Sequence, residues 1–263
     1  MTTPFDKVID DVIARKYHNH RLQEHSDMVG EGIFTDLQAM CPTLRSDVEE
    51  GIVKHWLNVP TPGARNRKID LLIGEPLASD PRKPNIDLIR VCVENKSVIT
   101  AHRNKDARFD DLNDTLLVLH DKRPEAVKVA TVMIGTAQRV LNVPDRIKPF
   151  FVGNEVAFEQ KIVPKLSSGD QALWTQFPGA ISKNRPDDPA STISKFRQLS
   201  TRPIGHTHVN GYDYLLLVPV FIDNVNKPYL ARDNGLGIDI DKSYTEMLDR
   251  ICRAYQGRWP HEQ

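Results

Sequence analysis

The amino-acid sequence predicts an α/β fold, because short apolar runs typical of buried strands alternate with stretches whose apolar residues recur at helical spacing. Residues 25–135 carry the order helix, three strands, helix, strand, and a further strand and helix follow over 212–256. A chain of 263 residues can bury about 70–75% of the surface that its unfolded form exposes, so it needs neither disulfides nor metals to form a core. We therefore expect one domain over residues 1–263, with a C-terminal elaboration after its core.

Four helices are predicted from capping residues and apolar spacing. A threonine and a proline followed by an acid predict a helix over about residues 4–17. A second helix, over about 25–40, should end where Pro42 interrupts the backbone hydrogen bonds. Apolar residues at intervals of three and four predict a third helix over about 106–120 and a last one over about 242–255.

Strands are predicted where short apolar runs lie between turn-forming residues, over about 47–57, 68–74, 88–99, 127–134 and 212–218. The first of these runs also fits a helix, but its β-branched residues and the following proline-glycine break favour a strand. A turn-rich insert at 80–85 should connect the second and third strands. The region 167–211 lacks periodicity and is rich in proline, serine and basic residues, so we expect long loops there.

Charge and cysteine content exclude few functions. Thirty-five basic residues balance 35 acidic ones, so the chain lacks the overall positive charge of many nucleic-acid-binding proteins, although local basic patches can still bind phosphate. Cys41, Cys92 and Cys252 lie far apart, and neither a metal-binding pair nor a disulfide framework can be inferred from them. With no secretion signal and no apolar run long enough to span a bilayer, we expect a cytoplasmic protein.

Two acids and a lysine stand in strands that otherwise carry apolar residues. Asp70 lies in the second strand, while Glu94 and Lys96 lie two residues apart in the third and so point to the same face. If these strands pair, two carboxylates and one ammonium group converge. Mg²⁺ binds such oxygen ligands while it keeps waters and phosphate oxygens. The pattern therefore predicts a metal site at Asp70 and Glu94, with Lys96 orienting or helping to deprotonate an attacking water.

The pattern of Asp70 followed by Glu94-Asn95-Lys96 and a helix resembles the PD-(D/E)xK nuclease superfamily, which includes many type II restriction endonucleases. The resemblance covers residues 25–135 and implies a restriction-endonuclease-like core, in which helices flank a mixed central sheet. It also implies a further catalytic acid on the preceding helix, for which Glu31 is the first candidate and Glu50 the second. Ile69 stands where the family often has proline, and an insert precedes Glu94.

Local context distinguishes this motif from a chance match. A second Glu-x-Lys motif, at 159–161, has no preceding strand that carries an acid. The structural alternative is that Glu94 and Lys96 form a same-face ion pair on an edge strand and that Asp70 faces a turn. Cations near the motif are candidate contacts to DNA phosphates, because they precede either the Asp70 strand or the following helix. These candidates are Arg65, Arg67, His102, Arg103, Lys105 and Arg108.

The resemblance implies a Mg²⁺-dependent endonuclease that hydrolyses double-stranded DNA, expected here as a sequence-specific restriction enzyme acting as a homodimer. The loop-rich region 167–211 would then supply contacts to bases. One alternative is a nonspecific defence or repair nuclease of the same fold that depends on an activator or partner. A second is a nucleic-acid-binding module without catalytic activity.

Overall fold

The computed structural model describes residues 2–14, 23–60, 68–99, 102–141, 181–223, 226–233 and 235–260. Within these ranges the chain forms an α/β fold in which helices pack against both faces of a mixed six-stranded sheet. Six α-helices lie in this part of the chain, at α1 Pro4–Ala14, α2 Gln23–Met40, α3 Pro42–Glu49, α4 Lys105–Lys122, α5 Asp188–Phe196 and α6 Ile240–Arg258. None of them is long and apolar enough to cross a membrane.

The predicted capping pattern at the first helix is confirmed. The Asp6 carboxylate accepts hydrogen bonds from the Thr3 backbone N–H at 2.7 Å and from the Thr3 hydroxyl at 2.8 Å. The first of these bonds satisfies the Thr3 N–H, a backbone donor that the helix itself cannot satisfy. A single-turn 3₁₀ helix, His102–Asn104, leads into α4.

The main sheet has the strand order β1-β2-β3-β4-β7-β8. Neighbouring strands are parallel from β3 through β4 to β7 and antiparallel elsewhere in this sheet. Two short strands, β5 and β6, pair separately. The strand bounds are β1 Lys54–Pro60, β2 Lys68–Leu77, β3 Asp80–Val98, β4 Val127–Gly135, β5 Arg139–Leu141, β6 Ile181–Lys183, β7 Tyr214–Phe221 and β8 Tyr229–Leu230.

The alternation of side chains along the strands divides the core into two sides. Leu71 and Val93 are paired across β2 and β3, and both join the apolar cluster that packs against α1, α2 and α6. Leu72 and Cys92, the next pair, face the other side of the sheet, where Leu119 of α4 packs. Buried apolar residues therefore hold α2 and α4 on opposite faces of the strands that carry the acids.

Two expectations about local structure were wrong. Residues 47–57 do not form one strand, because α3 continues to Glu49 and β1 starts only at Lys54. The insert 80–85 is also not a separate turn, since β3 already begins at Asp80 and pairs back onto β2. Prolines are compatible with this part of the strand, because the chain here extends beyond the central sheet. The N–H groups that they lack are not needed for pairing there.

The region 167–211 contains more regular structure than expected. Residues 167–180 lie outside the described part, but α5 and β6 form after them. Arg202, expected in a loop, is 1% exposed and forms an ion pair with Asp213 at 2.8 Å. Lys195 lies 3.3 Å from Asp106 and also over the ring of Phe109. Intramolecular partners therefore already engage two of the cations that were expected to contact DNA bases.

The structure also pairs two cysteines that the sequence left unassigned. Cys41, which precedes α3, and Cys252 of α6 form a disulfide, with their Cα atoms 5.3 Å apart. Their separation of 211 residues gives no local signal of pairing. The third cysteine, Cys92, is a buried free thiol.

Candidate functional site

The structure brings Asp70, Glu94 and Lys96 together. The Lys96 Nζ atom donates a hydrogen bond to Glu94 Oε2 at 2.8 Å and lies 4.0 Å from Asp70 Oδ2. Glu94 is 2% exposed and Asp70 is 8% exposed. The arrangement is thus two poorly solvated carboxylates with one ammonium group between them.

Strand pairing explains this convergence. Leu71 lies opposite Val93 in the antiparallel pair of β2 and β3, so the same register continued by one residue places Asp70 beside Glu94. Directly opposite residues project to the same face of an antiparallel pair. Lys96, two residues beyond Glu94, projects to that face as well. β3 also pairs with β4 on its other side, which excludes the alternative of an ion pair on an edge strand.

The electrostatics of the site keep Lys96 charged. Burial alone would lower the pKa of Lys96, but the negative charges of Glu94 and Asp70 and the hydrogen bond to Glu94 raise it above its ordinary value. An ammonium group with a raised pKa holds its proton at neutral pH. Lys96 can therefore attract a phosphate or orient a water, but it is poorly suited to remove a proton from that water.

Asn95 connects the site to the elements around it. Its backbone N–H donates to Asp70 Oδ2 at 2.7 Å, which orients that carboxylate. Its side-chain Nδ2 donates to the Ser26 hydroxyl at 3.1 Å, and its Oδ1 accepts a hydrogen bond from the Thr131 hydroxyl at 2.6 Å. The sequence motif treats this position as variable, yet here it ties β3 to both α2 and β4.

An open cleft of about 270 Å³ lies over this end of the strands. Asp70, Asn95, Lys96 and Arg108 contribute polar groups to it, whereas Glu94 is buried and is absent from its lining. Residues from α1, α2 and β4 complete the lining, namely Phe5, Gln23, His25, Ser26, Val29, Ser97, Thr131 and Met133. The cleft has room for a phosphate group and several waters.

Glu31 and Glu50 do not join the carboxylate pair. Both carboxylate oxygens of Glu31 lie 3.1 Å from His55 Nε2, on the side of α2 toward β1, and Glu31 is absent from the cleft lining. Glu50 follows α3 and accepts a hydrogen bond from the Ser46 hydroxyl. Neither residue therefore supplies the expected third acid. The face of α2 that approaches the cleft carries His25 and Ser26 instead.

The candidate phosphate contacts have different positions. Arg108 lines the cleft and is partly exposed while paired with Asp111 at 3.1 Å. Lys105 donates to the Ser191 hydroxyl at 2.7 Å. Arg65 and Arg67 lie outside the described residues, as does the side chain of Arg103. The second Glu-x-Lys motif, at 159–161, also falls outside them.

His102 takes a packing role in place of the expected phosphate contact. It is 2% exposed, its Nε2 donates to the Gly135 carbonyl at 2.9 Å, and its Nδ1 lies 2.6 Å from the Thr192 hydroxyl. Burial lowers the pKa of His102, so the neutral ring is favoured. The ring therefore joins the 3₁₀ turn to β4 and α5.

The donor set can accommodate a magnesium ion. The described residues contain no cluster of three or more acids, histidines or cysteines that could hold a metal. Mg²⁺ does not require such a cluster, because it is usually held by one or two carboxylates and keeps several waters. Asp70 provides a carboxylate at the cleft, and the buried Glu94 carboxylate shares the Lys96 ammonium group with it, so the residues present fit this ion.

Sequence reasoning missed three residues of this neighbourhood: Asn95 as an anchor, Ser26 as its partner, and His25 in the cleft wall. The packing of α2 against β3 brings them together, and nothing in their local spacing indicates it. Comparisons with models of protein families, with curated proteins and with solved structures found no match.

Proposed function

We propose that the protein is a Mg²⁺-dependent nuclease that hydrolyses phosphodiester bonds in DNA. The observation that carries this proposal is the Lys96 ammonium group between the Glu94 and Asp70 carboxylates, with Lys96 and Asp70 lining an open cleft. Paired carboxylates with a nearby cation suit metal-assisted attack of water on a phosphate. An ion pair that served stability alone would not need to border an open cleft.

The element order supports the same proposal. Along the chain, α2 and α3 precede β1, β2 and β3, after which α4 leads to β4. Apart from the short α3, this is the order of helix, three strands, helix and strand expected of a restriction-endonuclease-like core. The two acids and the lysine stand on its second and third strands, as in the superfamily that the sequence resembles.

Asp70 and Glu94 would hold the metal ion, which when bound supplies Lewis-acid polarisation of the phosphate and lowers the pKa of bound water. Asn95 orients the Asp70 carboxylate through its backbone N–H. Lys96, which stays protonated, attracts a phosphate oxygen and stabilises charge that develops on it during attack. Arg108, at the edge of the cleft, suits contact with a neighbouring phosphate of the same strand.

We extend the proposal to sequence-specific cleavage of double-stranded DNA by a cytoplasmic homodimer, in which each protomer cuts one strand. The closest competing function is nonspecific cleavage that an activator switches on. Engagement of Arg202 inside the molecule favours this alternative, since it removes one side chain from the set available to read bases. The fragment pattern from unrelated plasmids distinguishes the two, because a sequence-specific enzyme produces discrete bands.

The test is incubation of the purified chain with several plasmids, with Mg²⁺ or with a chelator. We expect Mg²⁺-dependent cutting that is lost in Asp70→Asn and in Glu94→Gln, two changes that keep side-chain shape while they remove charge. Asp87→Asn is the matched control, because this exposed acid lies on β3 away from the cleft. Undiminished cutting by both site variants would refute the assignment, and absence of cutting by the unaltered chain would remove the proposed activity.

A further inference from the structure

A histidine and an aspartate stand beside the carboxylate site without a role in the proposed function. His25 lies in the first turn of α2, and its Nε2 atom is 2.9 Å from Asp11 Oδ2 of α1. The His25 ring is 5% exposed, yet it lines the same cleft as Asp70 and Lys96. The Asp11–His25 pair is therefore a partly buried unit whose histidine lines the wall of the candidate active site.

The two nitrogens of this ring differ in their contacts. A carboxylate only accepts hydrogen bonds, so the Nε2 atom that faces Asp11 must carry a proton. His25 Nδ1 is buried and has no hydrogen-bond partner among the residues that the structure describes. A buried polar atom without a partner is unfavourable unless a ligand or water satisfies it. Since His25 is one of the residues that line the cleft, a water or ligand in the cleft is the candidate partner for this atom.

The charged groups that contact the ring or share its cleft come from four elements. Asp11 of α1 contacts it directly, while Asp70 of β2, Lys96 of β3 and Arg108 of α4 line the same cleft. Lys96 remains protonated beside Glu94 and Asp70, as shown above, and an arginine stays charged throughout the physiological range. Neither cation can take a proton from water at neutral pH. Imidazole is the side chain that exchanges a proton in this range.

We propose that His25 is the proton acceptor of the cleft and that Asp11 is its positioning residue. This inference rests on the proposed nuclease function. As water attacks phosphorus, its oxygen forms the new P–O bond and its proton passes to His25 Nδ1. The bond from phosphorus to the leaving sugar oxygen breaks, and that oxygen keeps the electron pair and takes a proton from solvent. His25 then returns its proton to solvent.

Asp11 contributes in two ways to this step. Its carboxylate holds the proton on Nε2, which leaves the Nδ1 lone pair available to accept another. It also stabilises the positive ring that forms when Nδ1 is protonated. A histidine oriented by a carboxylate in this way is a recurring unit of proton-transfer sites.

The first test is single-turnover cleavage of plasmid DNA by the full chain with Mg²⁺ from pH 5.5 to 8.5. The acceptor role predicts that the wild-type rate rises with pH through this range. His25→Gln should lower the rate by about 10²-fold or more and remove this rise, while DNA affinity measured with Ca²⁺ stays within about twofold. Asp11→Asn should give a smaller loss and move the rise to lower pH, because the stabilising charge is gone.

His55→Gln is the matched control, since His55 also faces a carboxylate through Nε2 but lies outside the cleft lining. It should cut DNA at the wild-type rate. If the wild type cuts and His25→Gln cuts equally fast, the acceptor role is wrong while the nuclease proposal stands. If the wild type does not cut DNA at any pH, both proposals fall.

A second measurement does not depend on cleavage. When the His25 ring is neutral, its ¹⁵N spectrum should show a proton on Nε2 and none on Nδ1. Addition of inorganic phosphate should shift the Nδ1 signal. A proton found on Nδ1 of the neutral ring would overturn the acceptor role, whatever the chain does to DNA.

Discussion

Replacement of Lys96 by methionine tests the central electrostatic feature of the site. The change removes the ammonium group that lies 2.8 Å from Glu94 and 4.0 Å from Asp70, while a similar volume still fills the space. Loss of one partner from a buried ion pair destabilises a protein by about 3 to 5 kcal/mol. Because Asp70 borders the open cleft and can regain some water, we expect the low end of this range, about 3 kcal/mol.

Urea denaturation at pH 7 with a chelator present measures the free energy of unfolding. Lys83→Met is the matched control, because Lys83 lies on the same strand with its side chain 70% exposed, and its loss should change stability by less than about 0.5 kcal/mol. The added change Glu94→Gln should restore much of the stability at pH 7. A loss below about 1 kcal/mol would refute the proposed charge balance.

Three further predictions concern the fold around the site. Burial lowers the pKa of Lys128 to about 8, so above that pH this residue binds fewer protons in the folded chain than in the unfolded one. The urea midpoint of the wild type relative to that of Lys128→Met should therefore rise from about pH 8 to about pH 10. Gly135→Ala should destabilise the chain by more than about 2 kcal/mol in thermal unfolding, because an added Cβ would overlap the backbone carbonyl of Ile99. An unchanged melting temperature would contradict this packing. The Cys41–Cys252 disulfide closes a long loop, so in the chain-entropy treatment its reduction should lower the free energy of unfolding by about 5 kcal/mol. Equal melting temperatures with and without a reductant would contradict the pairing.

The arrangement of Asp70, Glu94 and Lys96 could be anticipated because it depends on short-range rules. Alternation along β3 places Glu94 and Lys96 on one face, and antiparallel pairing with the preceding strand brings Asp70 beside them. Strand segments around these residues were recognisable as apolar runs between turn residues. The catalytic roles of the three residues remain predictions.

Features that depend on packing between distant segments could not be anticipated. Glu31 lies beside His55 instead of at the carboxylate pair because of the way α2 is rotated about its own axis. Gly30, whose backbone closely approaches Leu57 and Leu71, sets this rotation. A one-residue shift around a helix turns a side chain by about 100°, beyond what apolar spacing can resolve. His25 and Asp11 likewise meet only because α1 packs on α2.

Segments of mixed signal produced the errors in the fold. In residues 47–57 the apolar spacing fits both a helix end and a strand, and the chain uses it for both, with α3 ending at Glu49 and β1 starting at Lys54. Helix α5 is nine residues long and has few apolar side chains. Its buried residues Ile193 and Phe196 are too few to reveal helical spacing in the sequence.

The measurement that tests the account most directly is a double-mutant cycle on Mg²⁺-dependent DNA cleavage with Asp70→Asn, Glu94→Gln and the two changes combined. Residues that act as one unit give strongly non-additive effects, because either loss already disables the site. We therefore predict that the double variant cuts DNA no more slowly than the slower single variant. Two modest losses that multiply in the double variant, or a wild-type rate in either single variant, would contradict a shared metal-dependent site at Asp70 and Glu94.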